Sequence, residues 1–248
     1  MRTHKLFTVA VASLALWLAG AEARAVTLVN ETFETRTTGT LNGQGPWTPF
    51  TLFGGGGYAG INVASAYAVG GSLGAGASAA SGSALALGSH FASGHLLFAF
   101  DLTRSTGVTD LALYLFDTLN GSNSITFDWD NQSGGNMSID LEGMTPTGHG
   151  AHLTGSITQL HVSADIDLDK KTMSYAWNQV GNAGNGGSST ASWAVPYAPD
   201  RLELFVQGGT AGYDNLSLTY IPLPEPPGLA LALAALTIAW VIGAPRRG

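Results

Sequence analysis

Along the middle of the chain, apolar and polar positions alternate over short runs, and the runs are separated by Gly, Asn, Asp, Ser and Pro. Period-two runs of this length are half-buried strands, and no stretch sustains the 3.6-residue period with caps that a long helix needs. The pattern predicts strands at His95–Leu102, Asp110–Asp117, Ser124–Asp130, Asn136–Leu141, Gln159–Asp167, Thr172–Trp177, Arg201–Val206 and Tyr213–Tyr220. Asp169-Lys170-Lys171-Thr172 and Asn120-Gly121-Ser122-Asn123 have the composition of tight turns between neighbouring strands. Gly54–Gly94 is rich in Gly, Ala and Ser but keeps Ile61, Val63, Tyr67, Val69, Leu85 and Leu87, so it reads as strands of small residues joined by flexible loops. Asn182–Thr190 reads as a loop. About ten short strands with turn signals between them make an all-β sandwich without a second domain or an internal repeat.

Both ends depart from this pattern. Arg2, His4 and Lys5 precede an uncharged, mostly apolar run over Leu6–Gly20, and Ala21-Glu22-Ala23 and Ala23-Arg24-Ala25 offer small residues to signal peptidase. Residues 1–25 are therefore expected to be a secretory signal peptide. At the other end Pro224-Glu225-Pro226 and Pro227 lead into Gly228–Ala244, seventeen residues without a charge, followed by Arg246 and Arg247. A helix of that length spans about 26 Å, enough for a thin bilayer with its flanks. The arginines would stay cytoplasmic, which places the central segment on the outer side.

The 248 residues are 45% hydrophobic with a mean hydropathy of +0.17, and the two ends account for the apolar surplus. The absence of cysteine excludes disulfides, a thiol nucleophile and Cys-ligated zinc or iron–sulfur sites. The net charge is −7, but residues 26–223 carry fifteen carboxylates against five Lys and Arg, a net charge of about −10. Such a surface lacks the basic footprint that nucleic acid requires.

The tail resembles the PEP-CTERM sorting signal, in which a Pro-Glu-Pro motif, a membrane helix and an arginine cluster follow in that order. The resemblance covers about the last 25 residues and assigns Pro224, Glu225, Pro226, Arg246 and Arg247 to the sorting motif. It implies an exosortase as partner, an inner-membrane-anchored precursor, and delivery to the cell surface or matrix, commonly beside exopolysaccharide export. Leu223 before the motif and Pro227 after it depart from the usual Val and small residue.

Two further stretches resemble the ends of lectin-like jelly rolls, of concanavalin A/laminin G-like or galactose-binding-like type. The first is Glu31-Thr-Phe33-Glu34 followed by Gly39-Thr-Leu41-Asn-Gly43-Gln44-Gly-Pro-Trp47, and the second is Gly212-Tyr213-Asp214-Asn215-Leu216-Ser217-Leu218. The resemblance implies a jelly-roll β-sandwich whose first and last strands lie side by side. It also implies a candidate structural calcium between them, at positions matching Glu34 and Asp214, with Glu31 a further candidate. Oxygen-only ligands suit that hard cation.

Four constellations have chemistry to weigh. Asp165, Asp167 and Asp169 alternate onto one strand face and are similar to the acidic strand of laminarinase-like glycoside hydrolases, which makes hydrolysis the alternative function. Neither outer position is Glu, however, and Asp169 falls where a turn begins, so a solvated face is the plainer reading. His149 and His152, with His161 on the next strand, have partial zinc spacing but no neighbouring carboxylate or cysteine. Asp128-Trp129-Asp130-Asn131 starts like a calcium loop but lacks its later ligands. Among the aromatics, Trp193 and Tyr197 beside the 182–190 loop are the candidates for stacking on a sugar ring. The expected protein is an exported, non-catalytic surface or matrix protein that associates with exopolysaccharide. A purely structural surface protein is the remaining alternative.

Overall fold

The computed structural model describes residues 24–50, 58–105, 108–120, 123–129, 137–142, 144, 149–151 and 158–223. The sorting motif, the predicted C-terminal helix and the predicted signal peptide up to Ala23 lie outside the described residues.

Among the described residues sixteen strands follow one another: β1 (Val26–Glu31), β2 (Gly39–Thr40), β3 (Trp47–Pro49), β4 (Asn62–Ala64), β5 (Gly74–Ala77), β6 (Ser81–Ala86), β7 (His95–Arg104), β8 (Val108–Asp117), β9 (Asn123–Trp129), β10 (Met137–Glu142), β11 (His149–Ala151), β12 (Gln159–Asp167), β13 (Thr172–Gln179), β14 (Asn182–Ser192), β15 (Arg201–Gly208) and β16 (Ala211–Ile221). They form two antiparallel sheets. The larger has nine strands in the order β14-β13-β12-β7-β16-β5-β4-β2, with β1 also paired to β16. The smaller has seven in the order β11-β10-β9-β8-β15-β6-β3. All eight strands expected from the alternation are present, and the first and last strands are neighbours, with Glu31 opposite Leu216.

Strand β12 explains how the sheet has two faces. Leu160, Val162, Ala164 and Ile166 point inward and are buried, while Gln159, His161, Ser163 and Asp165 take the other side. Strand β7 repeats the pattern with Leu96, Phe98, Phe100 and Leu102 inward. From the facing sheet Leu111, Leu113 and Leu115 of β8 and Ile125, Phe127 and Trp129 of β9 complete the core. Phe127 meets Phe98 and Phe100 edge-on across the interface, with ring centroids 5.7 and 5.2 Å apart. Tyr213 crosses it as well: its buried hydroxyl reaches the carbonyls of Ala112 in β8 and Phe205 in β15. With no disulfide available, apolar burial and such cross-sheet hydrogen bonds hold the layers together.

The segment read as a loop at 182–190 is instead the first part of β14, paired to β13 from Thr172↔Ser192 to Asn178↔Gly186. Its Gly, Ser and Asn residues signal a turn locally, but strand pairing supplies the backbone hydrogen bonds and overrides that preference. Close packing also needs those small residues. A Cβ on Gly187 would fall 2.5 Å from the Trp177 ring.

Candidate functional site

Register brings the outward residues of five strands together on the nine-stranded sheet. One row runs Thr219, Leu97, Asp165, Ser174, Thr190 from β16 through β7, β12 and β13 to β14. The next, two residues along each strand, runs Ser217, Ala99, Ser163, Ala176, Ser188. These rows floor an open groove of about 890 Å³. Four interstrand spacings make it about 19 Å long across the strands. Six of its ten floor side chains are Ser or Thr, and each hydroxyl both donates and accepts. Leu97, at 39% exposure, is the one large apolar side chain in the two rows, and Asp165 is their one formal charge.

A histidine–aspartate pair flanks the two rows on each side. Beyond the Ser163 row, His161 Nδ1 lies 2.6 Å from Asp101 Oδ1, and the other oxygen of Asp101 accepts from Asn215 Nδ2 at 2.7 Å. Asn215 reaches it because β16 bulges between Asp214 and Ser217, with Asn215 at φ 52°. The hydrogen bond to Asp101 raises the His161 pKa above its ordinary value, and partial burial opposes it. Beyond the Asp165 row, His95 sits between two carboxylates, its Nδ1 2.9 Å from Asp165 and its Nε2 3.5 Å from Asp167. Asp167 also takes Lys170 Nζ at 2.7 Å. That hydrogen bond holds the Asp167 carboxyl below its ordinary value. A second groove of about 720 Å³ adjoins this side and shares Asp165, Ser174 and Thr190 with the first.

The three aspartates expected on one face therefore separate in role. Asp165 faces the groove, with 48% of its side chain exposed. Asp167 is covered and ion-paired, and Asp169 lies past the strand end, where it accepts from the Gly94 amide at 2.7 Å. An acid that must donate a proton needs a raised pKa, and Asp167 has the opposite shift.

Trp193 and Tyr197 do not form an exposed sugar platform. Both are 5% exposed and pack edge-on against each other at 5.7 Å, and the Tyr197 hydroxyl donates to the Leu115 carbonyl at 2.6 Å. Sequence alone marks them as aromatic but does not say which face they take. They belong to the core.

Glu34 and Asp214 converge on one loop through hydrogen bonds. Glu34 Oε1 accepts from the Leu73 amide at 2.7 Å, while buried Asp214 accepts from Val69 N, Ser72 Oγ and Asn215 N. Burial raises the Asp214 pKa, and its three donors pull the other way. Glu31 accepts from Phe33 N, Arg36 Nε and Trp47 Nε1. The donor on every one of these oxygens except Glu34 Oε2 means that the set does not fit the six to eight open oxygen ligands of calcium. The Glu31–Trp47 bond explains part of the opening motif as a structural corner. A further group, His90, Asp117 and Asp200, brings ligand atoms within 4.8 Å of one another. Its carboxylates likewise take protein donors, including Leu119 N, Ala198 N and Thr118 N.

Of the other candidate histidines, His161 lies beside the groove, whereas His152 and the side chain of His149 lie outside the described residues. Asp128 and Trp129 are in β9, with the Trp129 ring buried beneath the Arg104 guanidinium at 4.4 Å; Asp130 and Asn131 lie outside the described residues.

No family model matches the chain, and no curated protein matches it. Solved structures do. Lectin II from Ulex europaeus is 10% identical, with a TM-score of 0.52 over 82% of this chain and 100% of that one. Arcelin-5, a lectin-like defence protein from Phaseolus vulgaris, is 6% identical, with a TM-score of 0.47 over 81% and 99%. A peanut lectin structure is 10% identical, with a TM-score of 0.46 over 82% and 100%. At these identities the likeness to the Ulex protein establishes the fold alone: Val26–Ile221 is a lectin-like jelly roll.

Proposed function

We propose that this is a non-catalytic carbohydrate-binding protein that holds a polysaccharide in the groove on the outer face of its nine-stranded sheet. The observation that carries the reading is the floor of Ser163, Ser174, Ser188, Thr190, Ser217 and Thr219, brought together by register from four strands. Sugar hydroxyls both donate and accept, and so do these side chains. The groove volume lies within the usual range for ligand sites, and its open ends admit a chain rather than a single ring. The lowered pKa and ion pair of Asp167 favour binding over hydrolysis.

The destination is part of the same proposal and rests on the sequence. The signal-peptide pattern at 1–25 and the resemblance of 224–248 to a PEP-CTERM tail support export, membrane anchoring and exosortase processing to the cell surface or matrix. Exopolysaccharide would then be the ligand within reach.

Affinity gel electrophoresis of the full-length protein through neutral, cationic and acidic polysaccharides tests the binding. Retardation by at least one of them, abolished by Ser163→Ile, is expected. Equal mobility in every gel would overturn the reading. Replacing Arg246 and Arg247 by Ala tests the tail, since unchanged processing and localisation would overturn sorting while leaving the groove untouched.

A further inference from the structure

We infer that the groove selects a glycan bearing protonated amines, an amino-sugar polymer, over neutral or acidic chains. This rests on the reading of the groove as a polysaccharide site. Asp165 is the one formal charge in the two floor rows, and it also lines the adjoining groove, so a chain passing from one to the other crosses it. Its Oδ1 takes His95 Nδ1 at 2.9 Å. Lys170, the nearby cation, is engaged by Asp167 at 2.7 Å.

Ser174, the direct partner of Asp165 in β13, and Thr190, the next in the row, are both hydroxyl-bearing. An ammonium carries three donors and no acceptor, and a carboxylate beside two hydroxyl oxygens answers that valence. A sugar carboxylate would instead meet the Asp165 carboxylate, on a domain already near −10.

Isothermal titration of the full-length protein at low ionic strength tests this with three probes: β-1,4-linked glucosamine hexamer, its fully N-acetylated counterpart, and hexagalacturonate. The amine-bearing hexamer is expected to bind about tenfold tighter than the acetylated one, the size of one charge-assisted hydrogen bond, and the difference shrinks with added salt. Asp165→Asn is expected to erase the difference between the two hexamers. Equal affinity for the two hexamers, both abolished by Ser163→Ile, would overturn the amine selectivity and leave the groove in place. Tightest binding of hexagalacturonate would also overturn it. Failure of all three to bind would overturn the groove reading itself.

Discussion

His161 and Asp101 are direct partners across β12 and β7, and their side chains meet at 2.6 Å from ring Nδ1 to carboxylate Oδ1. The pair flanks one side of the groove, and Asn215 holds the far oxygen of the aspartate in place. Because the hydrogen bond raises the His161 pKa in the folded chain, protonated His161 stabilises the fold. That contribution is fully present below the ordinary histidine value of about 6.5 and is lost as pH rises through the raised folded value. His161 is 43% exposed, so solvent screening limits the effect to under about 1 kcal/mol. Urea midpoints of wild type and His161→Gln are expected to differ at pH 5.5 and to coincide at pH 9.

Asp167 has the opposite linkage. Lys170 lowers its pKa, so its stabilisation is present above the ordinary aspartate value and is lost as pH falls through the lowered one. Asp167→Asn is expected to destabilise at pH 7 and to match wild type once the wild-type carboxyl is protonated, in thermal melts followed by circular dichroism.

Trp193 and Tyr197 separate packing from binding. Trp193→Ala is expected to cost about 3–5 kcal/mol, as for other buried aromatic truncations, and Tyr197→Phe about 1 kcal/mol for the lost hydrogen bond to Leu115. Denaturation curves check both values. A Trp193→Ala variant of unchanged stability that lost polysaccharide binding would reinstate these rings as the sugar platform.

Asp214 is expected to act through its donors. Asp214→Ala leaves Val69 N and Asn215 N without their acceptor and is expected to cost about 2–4 kcal/mol. A calcium ion held by Glu34 and Asp214 would raise the melting temperature on titration, because a ligand bound only to the folded state stabilises it. Calcium or a chelator is expected to leave the wild-type melting temperature unchanged.

The strands of the core were legible because β7, β8, β12 and β15 alternate or run apolar over whole elements, and burial enforces that pattern. Strand β14 was not, since Gly184, Gly186 and Gly187 among Ser and Asn carry the local signal of a loop, and its neighbour β13 decides the outcome. The groove was hidden for a different reason. Ser163, Ser174 and Ser188 are unremarkable singly, and they become a floor only through the register of three strands. The outward series Gln159, His161, Ser163, Asp165 and Asp167 in β12 was the available signal: an all-polar face in the middle of a large sheet.

Hydrogen–deuterium exchange of the full-length protein, with and without saturating β-1,4-linked glucosamine hexamer, addresses the central claim most directly. Protection is expected in the peptides that contain Ser163–Asp165, Ser174–Ala176 and Ser188–Thr190, with the inward-facing core of β8 and β9 unchanged. Protection confined to the loops at the ends of the sandwich, with none on β12, β13 and β14, would contradict the assignment of the groove as the glycan site.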